Sequence, residues 1–377
     1  MSQPNHRQSL RDAQRIIVKL GTSSCLVDDG PGLTRVQGEV ILPLARDIAK
    51  LRERGLKVVV VSSGAVGMGR RTRWGAKIDS RELSAKQALA ALGQVELMNM
   101  WRGVFELLGI GVAQVLLTRQ ELSRRGRYLN ARNTLTTLLA AGVLPVVNEN
   151  DSVATDEIRF GDNDILAALV GSLVEAELVI NLTRADGLLD MSGSEPVVIS
   201  EVAQVDDSLF GMVAPELSAG GTGGMASKLH AAKEAARYGA AMVIASSGQP
   251  GVLLDILDGK EVGTLFWPAR DPLRGKKRWL ASTTLVGGTL VVDPGAHRAL
   301  TVKGSSLLTV GITAVEGEFR RGDIVAVTTT EGTEIGRGLS DLPSTELRGL
   351  LAGEGAAAAT RKVAIHRDNL FLRESSL

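Results

Sequence analysis

Short runs of β-branched and apolar residues alternate with longer amphipathic segments from residue 15 to about residue 265. This alternation predicts strand–helix–strand units and a largely parallel sheet. Several of the runs are apolar throughout, which is typical of strands buried on both faces. The predicted strands are "RIIVKL" (15–20), "KVVVVS" (57–62), "GVAQVLL" (111–117), "VLPVVN" (143–148), "ELVINL" (177–182) and "AMVIAS" (241–246).

Four segments between these strands place apolar residues at helical spacing, and three of the four end at a glycine, a common helix stop. We expect these helices to cover both faces of the sheet, which gives an α/β fold arranged as a three-layer sandwich. The predicted helices are "EVILPLARDIAKLRERG" (39–55), "LNARNTLTTLLAAG" (129–142), "NDILAALVGSLVEA" (163–176) and "GMASKLHAAKEAARYG" (224–239).

The pattern changes after about residue 267. The segment "PARDPLRGKKRWL" (268–280) is rich in proline, glycine and basic residues, which is typical of a linker. Beyond it, short strand-like runs are separated by Gly and Asp, and "RGD" (321–323) is predicted to be a hairpin turn. The predicted organisation is a first domain over 12–267, a linker over 268–284 and a small, mainly β domain over 285–370.

Charge and cysteine content narrow the cellular setting. The 377 residues include 43 Lys plus Arg and 42 Asp plus Glu, so no global field attracts nucleic acid or an anionic membrane. Cys25 is the single cysteine, which excludes an intrachain disulfide and fits a reducing compartment. The N-terminal segment is polar, and no apolar run reaches the roughly 18 residues of a membrane span. We therefore expect a cytoplasmic protein with no membrane contact.

The four histidines are far apart in sequence, and no Cys/His cluster is present, so a zinc site built by the protein is not expected. A magnesium ion remains compatible with the sequence, because Mg²⁺ is usually held by carboxylates together with substrate phosphates.

Four polar motifs each follow directly on a predicted strand. They are "KLGTSS" (19–24), "SSGAVG" (62–67), "NENDSV" (148–153) and "LTRADG" (182–187). Any one of them could be an ordinary turn, since Gly, Ser, Asn and Asp favour turns. However, ligands of open α/β sheets bind outside the carboxyl ends of the strands, so four such loops indicate one site at that edge.

The segment "SAGGTGGMASKLHAAKEAA" (218–236) is the strongest phosphate signal. Its glycines allow close backbone approach, and the following helix start offers unpaired N–H groups to an anion. Lys228 falls in the first helical turn, where the helix dipole disfavours a cation unless an anion is near. The alternative is a flexible loop with a solvated Lys228. Neither the Walker A spacing nor a GxGxxG after a strand is present.

Lys19, at the end of a predicted buried strand, is a second candidate cation over a polyphosphate, although such a lysine can also extend to solvent. In "FGDNDILAALV" (160–170), Asp162, Asn163 and Asp164 precede an apolar helix. A helix start needs one capping side chain, for which Asp162 is the expected residue, so two remain for chemistry. Phosphoryl transfer needs cations, backbone dipoles and groups that position the acceptor. A carboxylate acceptor is already ionised at neutral pH and needs no general base.

Taken together, the motifs resemble the glutamate 5-kinases, a family of the amino-acid kinase superfamily whose members carry a C-terminal PUA domain. The resemblance runs from about residue 15 to residue 370. The motifs that carry it, in family order, are "VKLGTSS", "SSGAVGMGR", "SAKQALAALGQ", "LLTR", "YLNARNTL", "PVVNENDSVATDEIRFGDND", "GTGGMASKL" and "VGTLFWP".

This resemblance implies the amino-acid kinase fold and transfer of the ATP γ-phosphate to the side-chain carboxylate of L-glutamate. The product would be L-glutamyl 5-phosphate, the first intermediate of proline biosynthesis. It further implies Mg²⁺ with the ATP, feedback inhibition by proline, a homo-oligomer, and transfer of the product to a glutamyl phosphate reductase.

The resemblance also implies residue roles. Lys19 and Lys228 would contact the phosphates as catalytic residues, with Asp164 holding both lysines in place. The residues implied for glutamate are Ser63, Asp151 and Asn163. Those implied for the nucleotide are Lys19, Thr183, Arg184, Thr222, Gly223, Gly224, Met225, Ala226, Ser227 and Lys228.

Arg184 departs from the family pattern, which usually has Asp after the Thr of the "LT" turn, and "GLL" (187–189) replaces the usual "GLY". The backbone contact of Thr183 can be kept, whereas the Arg184 side chain either stacks on adenine or lies in solvent.

Two alternatives to the glutamate kinase stay open. One is another small-acid kinase of the same superfamily. The other is an RNA-binding protein acting through the PUA domain, since basic residues there could face a phosphate backbone. With few aromatic residues nearby we favour a structural or regulatory role for that domain. The basic residues are Arg270, Arg274, Lys276, Lys277, Arg278, Arg320 and Arg321.

Overall fold

The computed structural model describes residues 6–28, 34–79, 82–118, 121–122, 125–154, 163–193, 195–212, 224–269, 272, 280, 286–352 and 362–372. The chain divides into two compact units. The first is drawn from the residues up to Thr118 and from Leu129–Pro272, and the second from Arg119–Tyr128 and Leu273–Leu377. The predicted linker lies largely outside the described residues, so the predicted domain boundaries stay a prediction.

An eight-stranded sheet forms the centre of the first unit, in the order β10-β12-β11-β7-β1-β4-β6-β5. Its strands are β1 (Arg15–Leu20), β4 (Lys57–Ser62), β5 (Val112–Leu117), β6 (Leu144–Glu149), β7 (Leu178–Thr183), β10 (Glu201–Val202), β11 (Ala241–Ser246) and β12 (Thr264–Phe266). Neighbouring strands are parallel except β11 and β12, which are antiparallel. Two small hairpins accompany the sheet, β2 (Leu26–Asp28) with β3 (Thr34–Val36) and β8 (Leu189–Asp190) with β9 (Val197–Val198).

All six strands predicted from the sequence are present, and each predicted end lies within one residue of the observed end. The short strands β10 and β12 were not predicted. They have two and three residues, too few for a hydrophobic pattern to be recognised.

The helices that lie wholly or mainly in the first unit are α1 (His6–Ser9), α2 (Thr22–Cys25), α3 (Gly38–Glu53), α4 (Ala65–Arg71), α5 (Leu83–Glu106), α6 (Arg125–Ala140), α7 (Asn163–Val174), α8 (Asp207–Met212), α9 (Met225–Arg237) and α10 (Val252–Leu257). The predicted glycine stops are confirmed after α3, α6 and α9. Gly55, Gly142 and Gly239 have φ of 89°, 71° and 84°, the left-handed conformation that ends a helix.

The two faces of the central strands have different environments. Ile16, Val18 and Leu20 of β1 belong to the large apolar core, together with the alternate residues of β7. The positions between them lie on the other face, because side chains alternate along a strand. There α7 packs on β1 and β7, and a Cβ built on Gly171 would lie 3.3 Å from Val179 Cγ2 and 3.5 Å from Ile17 Cγ1. Helix α7 is therefore buried along almost its whole length.

Helices α4 and α5 touch through their backbones. A Cβ on Gly69 would lie 1.9 Å from the Leu89 carbonyl oxygen, and one on Gly93 would lie 1.7 Å from that of Ala65. No side chain can occupy either position without moving a helix. This contact fixes the loop that follows β4, because α4 starts directly after that loop.

The second unit is mainly β, as predicted. Its five-stranded sheet has the order β15-β13-β16-β17-β19, and β14 pairs with β18. The elements are β13 (Gly288–Val292), α11 (Pro294–Thr301), β14 (Leu307–Leu308), β15 (Ile312–Gly317), β16 (Ile324–Thr329), β17 (Glu334–Leu339), α12 (Ser344–Leu351), β18 (Val363–Ile365) and β19 (Leu370–Leu372). The "RGD" segment lies in a turn between β15 and β16. The predicted hairpin was wrong, because β13 lies between these two strands in the sheet and they do not pair with each other.

Within the described ranges, no helix combines the length and apolarity that crossing a membrane requires.

Candidate active site

The carboxyl ends of the central parallel strands meet at one edge of the sheet. Leu20 of β1 is in register with Ser62 of β4, and Thr183 of β7 is in register with Ser246 of β11. The polar loops predicted to converge therefore begin at the same edge, beside the first turns of α7 and α9.

Asp164, in the first turn of α7, lies between two lysines. The ammonium of Lys19 forms an ion pair with Asp164 Oδ1, and Lys228 Nζ lies 3.1 Å from Asp164 Oδ2. Asp164 has no exposed surface, Lys19 is 3 % exposed and Lys228 is 5 % exposed. Three charges are thus held together almost out of contact with solvent, which requires close pairing because isolated buried charges are very unfavourable.

The local fold explains why the three residues meet. Lys19 lies near the end of β1, on the face that α7 covers. Helix α9 packs against α7 and begins after Gly224, which provides no side-chain cap. The first-turn N–H groups of α9 and the ammonium of Lys228 are thereby presented at the same place, the arrangement that suits an anion.

The electrostatics keep Asp164 ionised. Burial by itself raises the pKa of this carboxyl. The charges of Lys19 and Lys228 and hydrogen bonds from Lys19 and Asn181 lower the pKa by more than burial raises it, so that the net value is about 2. Asn181 of β7 contributes through Nδ2, which lies 2.9 Å from Asp164 Oδ1. The carboxylate is therefore charged at any physiological pH.

A chain of amides forms the neighbouring part of the site. Asn163 Nδ2 donates to Ser63 Oγ at 2.7 Å and to Asn148 Oδ1 at 2.8 Å. Asn148 in turn donates to Gln94 Oε1 of α5 at 2.8 Å. With its amino group engaged by Ser63 and Asn148, Asn163 keeps its carbonyl oxygen for another donor.

Cys25 is buried close to these groups. Burial raises the pKa of its thiol to about 12, although a hydrogen bond with Ser62 and the charge of Lys19 act in the opposite direction. The thiol is neutral at physiological pH and has no nucleophilic character there. Ser62 also accepts a hydrogen bond from Trp101 Nε1 at 2.9 Å, which anchors the end of β4 to α5.

The structure brings Lys19, Asp164 and Lys228 together, and places Asn163 against Ser63. Asp151 is half-buried just beyond the end of β6. The residues Gly224, Met225, Ala226 and Ser227 lead into and form the start of α9. Three predicted residues, Asp162, Thr222 and Gly223, lie outside the described residues.

Thr183 and Arg184 lie at the end of β7. The Thr183 carbonyl oxygen accepts from the backbone N–H of Ser247 at 2.7 Å. Arg184 is exposed, and its Nε donates to the Ser23 carbonyl oxygen at 3.0 Å.

Three residues of the polar network were not predicted from the sequence, namely Gln94, Asn148 and Asn181. Asn148 lies inside the quoted motif "NENDSV", so only its role was missed. An amide inside the apolar run "ELVINL" was an available signal for Asn181, because a buried strand rarely holds a polar side chain without a partner. Nothing in the sequence indicated that Gln94 reaches Asn148.

In the part of the chain that the structure describes, no three His, Cys, Asp or Glu side chains form a group able to hold a metal ion. A Mg²⁺ ion bound mainly by phosphates does not need such a group, because it often takes only one or two protein carboxylates and keeps several waters.

Comparison with known families agrees with this fold and this arrangement. The model of the amino acid kinase family matches residues 14–246, and that of the PUA domain matches residues 288–363. The chain belongs to the amino acid kinase family. The predicted fold class, an amino-acid kinase fold followed by a PUA domain, is confirmed.

Curated relatives define the branch of the family. A glutamate 5-kinase of Thioalkalivibrio sulfidiphilus is 46% identical over 375 residues, 97% of this chain and 99% of the relative. A glutamate 5-kinase of Methylococcus capsulatus is 45% identical over 375 residues, with the same coverage. This chain is one of the glutamate 5-kinases, as the sequence motifs indicated.

A solved structure with a related fold is the carbamate kinase of Giardia lamblia bound to AMP-PNP. It has a TM-score of 0.51 and 16% sequence identity, and the match covers 68% of this chain and 99% of the carbamate kinase. At this identity the likeness concerns the fold alone.

Proposed function

We propose that the first unit transfers the γ-phosphate of ATP to the side-chain carboxylate of L-glutamate and releases ADP and L-glutamyl 5-phosphate. This reaction is the first step of proline biosynthesis from glutamate. The observation that carries the proposal is the buried Asp164 carboxylate holding Lys19 and Lys228 at the start of α9.

The chemical step needs few protein groups. An oxygen of the glutamate side-chain carboxylate forms a bond to the γ-phosphorus, and the bond from that phosphorus to the β,γ-bridging oxygen breaks. The electron pair of the broken bond stays on ADP. No proton moves, because the acceptor is already ionised at neutral pH. Positioning and charge stabilisation therefore account for the catalysis.

Lys19 and Lys228 supply the charge stabilisation in this proposal. Negative charge develops on the transferring phosphoryl oxygens and on the leaving oxygen, and preorganised cations at these positions lower the barrier. Asp164 is anchored on a buried helix, so it holds both ammonium groups in place before the substrates bind.

In this proposal, the acceptor L-glutamate is bound by Ser63, Asp151 and Asn163. The Asn163 amide is oriented by Ser63 and Asn148, which leaves its carbonyl oxygen for a donor such as the glutamate ammonium. Asp151 follows β6 at the same edge and offers a carboxylate to that ammonium. Helix α5 supports this side of the site through Gln94.

Nucleotide binding is assigned to Thr183 and to residues 222–228, with the phosphates over the first turn of α9. Arg184 is better explained by its hydrogen bond to the Ser23 carbonyl oxygen than by stacking on adenine. Mg²⁺ would enter with ATP and reduce the charge of the phosphate chain.

The experiment is a glutamate-dependent assay of the full chain with ATP and Mg²⁺. We expect ADP release that requires L-glutamate, and formation of glutamyl hydroxamate when hydroxylamine traps the acyl phosphate. ADP release without glutamate dependence would overturn the proposal. A panel of N-acetylglutamate, aspartate, carbamate and UMP tests the small-acid kinase alternative, and preference for any of them over glutamate would favour it.

Regulation and partners form a further part of the proposal. In keeping with the resemblance to the glutamate 5-kinases, we include in it feedback inhibition by proline, a homo-oligomeric state, a cytoplasmic location and delivery of the unstable acyl phosphate to a glutamyl phosphate reductase. For the PUA domain we propose a structural or regulatory role rather than RNA binding. Of its basic residues, Arg320 and Arg321 are exposed, whereas the predicted linker cations lie outside the described residues. Retention of the chain on immobilised RNA would contradict that choice.

A further inference from the structure

Asn181 is a fully buried amide inside strand β7, and its neighbours Ile180 and Leu182 are apolar and buried. Asparagine is disfavoured in strands, and a buried amide is unfavourable unless its donors and acceptors are paired. The position therefore requires a chemical explanation beyond strand formation.

The register of the sheet places Asn181 beside Lys19. The two residues are direct partners across the parallel pair β1 and β7, so their side chains share the face that α7 covers. Asp164 lies on the same face of α7 as Gly171, two turns nearer the helix start, and Gly171 packs on Ile17 and Val179. The residues two positions further along the strands, Lys19 and Asn181, are consequently those that meet Asp164.

The orientation of the Asn181 amide follows from its partner. An ionised carboxylate can only accept hydrogen bonds, so the amide must turn its Nδ2 to Asp164 Oδ1, at 2.9 Å. Its own Oδ1 is then directed elsewhere and, within the described part of the chain, lies buried without a hydrogen-bond partner. The amide thus satisfies Asp164 while one of its own atoms remains unsatisfied.

The bonds divide between the two carboxylate oxygens. Oδ1 of Asp164 receives Lys19 and Asn181, and Oδ2 receives Lys228. A donor fixed on a rigid strand restrains rotation of the carboxylate, so each lysine keeps its own oxygen. The positions of both ammonium groups then depend on Asn181.

We infer that Asn181 is a positioning residue for phosphoryl transfer, acting through Asp164 on Lys19 and Lys228. The inference rests on the proposed function. A positioning role and a packing role predict different effects of replacing Asn181. In a positioning role, the unsatisfied oxygen lowers the stability of the fold while the amino group favours the reaction, so a replacement should lower activity without lowering stability.

Two variants of the same side-chain shape test this signature. Asn181→Leu removes the donor and the unsatisfied oxygen together. We expect kcat to fall about tenfold, the effect of one hydrogen bond to a charged group, with KM for glutamate and ATP changed less than about twofold. The Tm should equal or exceed that of the wild type. Asn181→Asp should lower kcat further at neutral pH, since a second carboxylate competes for the lysines.

Ile180→Val is the matched control, one position along the strand on the opposite face. It should lower the Tm slightly and leave kcat unchanged. A lower Tm for Asn181→Leu, or equal kcat for the wild type and both Asn181 variants, would overturn the inference.

A binding measurement distinguishes failure of the role inferred for Asn181 from failure of the proposed reaction with glutamate. ADP with Mg²⁺ and aluminium fluoride imitates the transferring phosphoryl group without requiring a particular acceptor. The wild type should bind this complex about tenfold more tightly than Asn181→Leu, while both bind ADP alone equally. Equal affinities for the aluminium fluoride complex would refute the role of Asn181. Absence of glutamate turnover in the wild type would refute only the proposed acceptor.

Discussion

Lys228 Nζ lies 3.1 Å from Oδ2 of Asp164, a carboxylate with no exposed surface, although 64 positions separate the two residues in the chain. The same carboxylate pairs with Lys19 through its other oxygen. One acid therefore organises two cations from different elements, and most of the expected behaviour of the site follows from this relationship.

Replacement of Lys228 by alanine should lower turnover at least about a hundredfold, because it removes a preorganised cation from the transferring phosphoryl group. Circular dichroism should show a folded protein. Lys233→Ala, an exposed position on the same helix α9, is the control and should keep wild-type turnover. A loss below about threefold for Lys228→Ala would mean that this lysine has no catalytic role.

Asp164 should make stability depend on pH in the acidic range. The pKa of this carboxyl is lowered from 3.8 to about 2, so its contribution of about 2 kcal/mol is complete above about pH 4 and is lost as the pH falls toward 2. Asp164→Asn should remove this part of the pH dependence. It should also lower the free energy of unfolding at neutral pH by about 3 to 5 kcal/mol, since two buried lysines lose their partner.

Urea unfolding at a series of pH values measures both effects on Asp164. An unchanged slope between about pH 4 and pH 2 in the variant would show that the wild-type carboxylate is not the titrating group.

Asp151→Ala should chiefly raise the KM for glutamate with a smaller change in kcat, as removal of ground-state binding does. Steady-state kinetics over a range of glutamate concentrations measures the two parameters separately. Glu53→Ala removes an exposed carboxylate near the end of α3 and should change neither. A defect confined to kcat would contradict the assignment of Asp151 to the substrate ammonium.

Gly93→Ala should lower the free energy of unfolding by about 3 kcal/mol or more, because the added methyl group would lie 1.7 Å from the Ala65 carbonyl oxygen. Gly103→Ala on the same helix meets nothing within 4 Å and should stabilise the protein by about 0.5 to 1 kcal/mol. Thermal and chemical unfolding measure the difference. Similar stabilities of the two variants would contradict the close contact of α4 and α5.

Cys25 should be inert toward iodoacetamide at pH 8 in the folded protein, because burial raises the pKa of its thiol to about 12. Unfolding in urea should expose one reactive thiol, since the chain has a single cysteine. Mass spectrometry of the alkylated protein counts the modification. Rapid labelling without denaturant would show that helix α2, which ends at Cys25, opens readily.

The sequence was sufficient for the central sheet, because strands buried on both faces produce continuous apolar runs such as "KVVVVS". It was also sufficient for three candidate residues. Lys19 interrupts an apolar strand, Lys228 opposes a helix dipole, and Asp164 belongs to a group of three polar side chains that exceeds the need for one helix cap. The antiparallel strand β12 was not predicted, because three residues are too few to show a hydrophobic periodicity.

The contacts of Asn181 and Gln94 depend on which strand and which helix lie beside them. That information is not local in the sequence, since Asn181 meets Asp164 only through the register of β1 with β7. The hydrogen bond from Arg184 to the Ser23 carbonyl oxygen depends on the same kind of long-range placement.

The order of Lys19, Asp164 and Lys228 along the chain determines when the three charged residues can come together during synthesis. Lys19 and Asp164 leave the ribosome before Lys228, and the docking of α9 against α7 brings in the second cation. If these residues have the proposed roles, a nascent chain that ends before α9 has no complete phosphate site. On the proposed roles we therefore expect catalytic competence to arise only when synthesis of the first unit is nearly finished.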